Sequence, residues 1–177
     1  MKKNTITNLV LAGLMLALGM VLPFLTAQIP QMGNMFLPMH FPVLLCGLIC
    51  GWKYGGIVGF ILPIFRSMVF SMPPMFPVAI AMAFELMTYG VVIGLVYGYL
   101  PKKIGWTYVA LIVAMIAGRL VWGSVQVVLL GLSAKGAFSL QMFLSGALLN
   151  AIPGIILQLL CIPMIMTLVQ KRRRIYP

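Results

Sequence analysis

The chain has 177 residues, 63% of them hydrophobic and 7% charged, with twelve Lys and Arg against a single acidic residue and a mean hydropathy of +1.13. A soluble domain of this size cannot bury that much apolar surface, so the composition marks an integral membrane protein. One acid in the whole chain excludes paired-carboxylate chemistry and carboxylate-held metal catalysis, and no glycine-rich phosphate loop is present to bind ATP.

A membrane helix needs about 20 residues to cross about 30 Å of hydrocarbon. Runs such as Val43–Cys50 do not alternate polar with apolar residues, which argues against a barrel. The expected fold is an all-α integral membrane protein, a bundle of six transmembrane helices forming one domain over 1–177. The spans are expected near 9–27, 39–52, 56–70, 77–100, 106–132 and 138–170.

The first span follows Lys2 and Lys3 and carries small residues at Ala12, Gly13 and Ala17, with Leu16 beside them. Small side chains let another helix approach closely. Residues 26–38, TAQIPQMGNMFLP, break the pattern with prolines, glutamines and Asn34, and Phe36 suggests a loop that folds back as a lid. The second span is short and has His40 near its outer end. Cys46 and Cys50 lie four residues apart with no nearby His, Asp or Glu, so they read as small buried apolar residues and no metal or cofactor site is expected.

Gly51 to Gly56 makes a tight turn with an interfacial Trp and Tyr and a snorkelling Lys. In the third span Pro63 is expected to kink the helix ahead of Arg66. After the Pro73-Pro74 turn the fourth span carries Glu85, the only acid, with Met82 and Tyr89 on its face. In the fifth span Arg119, Trp122 and Gln126 recur at three and four residues and form one polar stripe. The sixth span offers Asn150 and Gln158, with Pro153 and Pro163 as kinks.

Arg66 and Glu85 flank the same turn, so they are expected to face each other, a water-filled cavity or a solute, because a charge facing lipid costs about 2.5–3.5 kcal/mol. Pairing them leaves Arg119 as the spare guanidinium. With the N-terminus inside, the inner segments hold nine basic residues (Lys2, Lys3, Lys53, Lys102, Lys103, Lys171, Arg172, Arg173 and Arg174) against Lys135 outside. That bias places both termini in the cytoplasm. The intramembrane polar residues then converge on the outer half, as in a pocket that ends partway.

The segments Leu11–Leu18, Phe36–Gly47 (FLPMHFPVLLCG), Gly55–Arg66 and Ala81–Gly90 resemble the substrate-binding (S) component of an energy-coupling factor (ECF) vitamin transporter over the whole chain. The resemblance implies a subunit in a prokaryotic plasma membrane that binds a water-soluble vitamin and is not an enzyme. A transmembrane coupling subunit and two ATPases would drive release, and Ala12, Gly13, Leu16 and Ala17 would dock the coupling subunit. The expected binding residues are Arg119, Trp122, Gln126, Glu85, Arg66, Asn150, Phe36, Asn34, His40 and Tyr89. A spare Arg119 favours an anionic vitamin such as pantothenate; the aromatic residues leave riboflavin or a folate open. Two other classes stand beside this one: a structural or assembly membrane protein, and a membrane-embedded enzyme using Glu85 and His40.

Overall fold

The computed structural model describes residues 5–26, 36–132 and 151–175. Among them the chain is helical throughout: α1 Thr5–Val21, α2 His40–Cys50, α3 Trp52–Phe70, α4 Ile80–Tyr99, α5 Ile104–Leu132 and α6 Ile152–Ile175. A short 3-10 turn, Leu22–Thr26, extends α1, and Met75–Ala79 leads into α4. Five rods are long and apolar enough to cross a membrane, and α2 is shorter. The protein is therefore a multi-pass helical membrane protein. The expected start of the last span, from 138 to 150, lies outside the described residues, as do Asn34 and Asn150.

α2 is buried along almost its whole length, from His40 through Cys50 apart from Phe41. At about 1.5 Å per residue it spans only about 16 Å. It fills the middle of the bundle and reverses directly into α3 at Gly51, whose φ of 95° is open to glycine and strained for other residues. The third span accordingly starts at Trp52, four residues before the sequence suggests. Pro63 sits within a continuous α3. The helix ends at Ser71, which takes a left-handed conformation with φ 56°, and the Pro73-Pro74 segment turns the chain. Ala79 then donates its amide to Pro74 O at 2.9 Å as α4 begins.

Glycines set how closely these helices pack. A Cβ on Gly55 would meet Gly47 Cα at 2.7 Å and Gly90 O at 2.8 Å, and one on Gly90 would strike the Gly55 carbonyl. α2, α3 and α4 thus cross backbone on backbone, as small residues permit in helix pairs within lipid. α4 packs against α2, α3 and α5, while α1 lies along α2 and α3 and exposes its other face. Val43, Leu44, Leu62, Leu86, Ile93 and Leu111 form the core.

The two ends of the bundle differ. The C-termini of α2 and α4 meet the N-termini of α3 and α5 at one end, with Lys53, Lys102 and Lys103. There the Lys102 ammonium donates to the Tyr97 carbonyl and lies 4.0 Å from the Tyr97 ring centroid. Gln170 Nε2 of α6 donates to the Tyr97 hydroxyl at 2.7 Å, tying that helix to the same end.

Candidate functional site

Glu85 lies in the half of α4 away from this basic end, about 21 Å from Tyr99. Arg119 lies about 22 Å along α5 from Ile104, hence at the same level. Arg119 Nη1 stands 2.9 Å from Glu85 Oε1. One helical turn along α4, Tyr89 donates its hydroxyl to the same oxygen at 3.2 Å. His40, the first residue of α2, brings Nε2 to 3.6 Å from it and its ring to 5.2 Å from that of Tyr89. Three groups from three helices, Arg119 of α5, Tyr89 of α4 and His40 of α2, thus converge on one carboxylate.

Local structure explains each position. His40 is presented by a turn in which its amide donates to Leu37 O at 3.0 Å, with Leu37 at φ 51° and its side chain buried. Tyr89 fits because Gly118 of α5 has no side chain, and a Cβ there would enter the phenol ring. That contact fixes the rotation of α5 against α4 and so delivers the next residue, Arg119, to Glu85. His40, Glu85 and Tyr89 are almost wholly removed from the surface, and the Arg119 side chain is 12% exposed.

The geometry corrects the expected pairing of Arg66 with Glu85. Leu86, the neighbour of Glu85, presses its carbonyl against Gly59 of α3. Glu85 points about 100° further round α4, towards α5 and α2. Arg66 instead donates to the main-chain carbonyl of Met20 at the end of α1. Its guanidinium stands 5.1 Å from the Phe24 ring and 5.2 Å from the Phe70 ring, two rings that themselves pack edge to face at 5.0 Å. Arg66 belongs to the α1–α3 junction, and Arg119 is the guanidinium that meets the acid.

The pair does not exhaust Arg119. Its Nε and Nη2 are buried without a hydrogen-bond partner among the described residues, as are both ring nitrogens of His40 and Oε1 of Gln126. Unsatisfied buried donors are costly, so an Arg with one edge on Glu85 offers its other edge to a ligand acceptor or water. Gln126 is buried and Trp122 half-buried further along the same stripe, and Phe36 is half-buried where the chain enters the α2 turn. The site residues inferred from sequence did not include Gln158, which is buried with its Nε2 unpartnered among the described residues. Thr107, fully buried with a hydroxyl likewise unpartnered among them, sits near the start of α5 at the basic end, away from Glu85. An amide in an apolar helix is a visible signal for Gln158; a threonine that can bond its own helix gives none.

The proposed docking residues fall on two faces. Ala12 packs into the core, whereas Gly13 and Ala17 are exposed, with nothing within 4 Å of a Cβ on Gly13, and Leu16 lies between these extremes.

Several apolar rods around a buried, partly unsatisfied charged cluster define a membrane protein with an internal polar site. The family model for the substrate-specific component of ECF transporters matches residues 7–166, and the chain belongs to that family. It is therefore a transporter subunit of the kind that works with a coupling subunit and ATPases, and not an enzyme. No match was found among curated proteins or among solved structures.

Proposed function

We propose that this chain is the membrane-embedded binding subunit for uptake of a water-soluble vitamin or related micronutrient in a prokaryotic plasma membrane. Six spans with both termini in the cytoplasm put the basic end inside and the Glu85–Arg119 level in the outer half of the bilayer. The observation that carries the reading is the largely buried Arg119 with Nη1 on Glu85 and with Nε and Nη2 unpartnered among the described residues. That second edge suits a carboxylate or carbonyl of the solute, with Trp122 and Phe36 available to cover it.

Glu85 balances the charge of Arg119, so an anionic solute such as pantothenate gains directional hydrogen bonds there more than a free counter-charge. A ring compound such as riboflavin or a folate would rely on the aromatic residues instead. The test is binding by the purified chain, without coupling subunit or ATPases, to pantothenate, its neutral alcohol pantothenol, riboflavin and folate. Saturable binding of one of them, weakened by Arg119→Met, is expected. Absence of binding for this whole panel would reject pantothenate, riboflavin and folate as the solute. Equal loss for pantothenate and pantothenol would reject a carboxylate contact at Arg119.

A further inference from the structure

On the outward-facing side of the α3–α4 pair, on a different face of α4 from Glu85, the two helices flank a shallow open groove of about 350 Å³ that runs along them from Trp52 and Lys53. Its walls are Ile57, Phe60 and Ile61 of α3 and Met87 and Val91 of α4. Gly56 forms the floor, where a Cβ would meet Val91 Cγ2 at 2.7 Å. From Trp52 to Phe60 the groove follows the helix for about 12 Å. At its deep end Phe60 meets Phe84 edge to face, with ring centroids 5.7 Å apart. The groove is thus a slot with an apolar stop at one end and a cation at the other.

That cation has no acidic side chain available within the chain. Glu85 is the only acidic residue of the chain, and it is held by Arg119. Lys53 Nζ lies 5.6 Å from the centroid of the exposed Trp52 ring, an arrangement that leaves the ammonium at the membrane interface. An anion paired with it would have to come from outside the chain's side chains. Around a slot of this length in a bilayer, the anion that arrives with an apolar chain attached is a phospholipid phosphate.

We propose that this groove binds one acyl chain of an anionic phospholipid, with Lys53 on the phosphate and the Phe60–Phe84 pair limiting the depth of the chain. The lipid would cover the α3–α4 seam, which Gly55, Gly59 and Gly90 already draw together. The site is independent of the solute reading, and its test uses no solute.

The delipidated protein in mild detergent would be titrated with phosphatidylglycerol, phosphatidylcholine and glycerol 3-phosphate, and bound lipid counted by native mass spectrometry. A lysine at an anionic surface is worth about 1 kcal/mol, or about fivefold in affinity. Phosphatidylglycerol is expected to bind about fivefold more tightly than phosphatidylcholine, and Lys53→Gln to remove that preference. Val91→Trp, which fills the groove, is expected to weaken both lipids; Ile57→Trp, at a 58% exposed position, replaces it if folding suffers. Lys103→Gln, also at the basic end, should change nothing, and glycerol 3-phosphate should not compete. Equal binding of the two lipids, or an equal effect of Lys53→Gln and Lys103→Gln, would overturn the proposal. So would a dimer cross-linked through Ile57→Cys, which would make a second copy the occupant.

Discussion

Glu85 carries a larger share of the bundle's electrostatics than any other residue, because every intramembrane cation has only that carboxylate to turn to. Arg119 takes it at 2.9 Å, and Arg66 is left with a carbonyl and two aromatic faces. Breaking a buried pair from one side costs about 3–5 kcal/mol, since the remaining charge is stranded, whereas replacing both partners by apolar groups is often near neutral. Glu85→Gln should therefore lower the thermal stability of the solubilised protein sharply, and Glu85→Gln with Arg119→Met should recover most of the loss. Arg66→Met should leave solute affinity nearly unchanged and loosen the end of α1 instead, seen as faster proteolysis there. If Arg66→Met and Arg119→Met cost the same affinity, the division of labour between the two arginines is wrong.

At the scale of elements, the site depends on close helix crossings. Glu85 reaches Arg119 because Tyr89 lies on Gly118, and α4 is held against α3 through Gly55 and Gly90. A methyl on Gly90 would fall on the Gly55 carbonyl, and overpacking a tight contact typically costs 1–3 kcal/mol. Gly90→Ala should lower the melting temperature and weaken solute binding together, because separating α3 from α4 also moves Glu85. Gly98→Ala makes the control: it lies on the same helix with nothing within 4 Å of its Cβ, and should be neutral or slightly stabilising. Equal melting of both variants would show that the crossing is not limiting.

For the molecule as a whole, we propose that the open face of α1 is the surface that docks the coupling subunit. Gly13 and Ala17 leave a shallow strip flanked by exposed Leu9, Val10 and Leu14, a surface on which a coupling subunit's helix can seat closely. Gly13→Leu should abolish uptake by the assembled transporter while solute affinity of the isolated chain stays within about twofold, the small effect expected of a surface change away from the site. Ala12→Leu should instead destabilise the chain, since Ala12 is packed in the core. Loss of affinity and uptake in parallel for Gly13→Leu would make the strip part of the bundle's own packing.

Membrane residence, the helical class, the run of apolar rods and the identity of the ionisable residues were legible in the sequence. Each is a sum over neighbouring residues, and transfer free energy is additive along a helix. Composition and spacing also picked out Glu85, Tyr89, Arg119 and Gln126 as residues that lipid would not tolerate. The partner of Glu85 was not legible. Arg66 is its nearest basic residue across the Pro73-Pro74 turn, but nearness along the chain gives depth and not direction. Direction comes from the rotation of α4, set by contacts of Gly55, Gly59 and Gly118 with residues about 30 positions away in the sequence. A glycine pattern alone does not say which carbonyl or ring will fill the space it leaves. The same reason separates Ala12 from Gly13: the two are adjacent small residues in sequence, yet only the packing of α1 on α2 and α3 turns one into the core and leaves the other open.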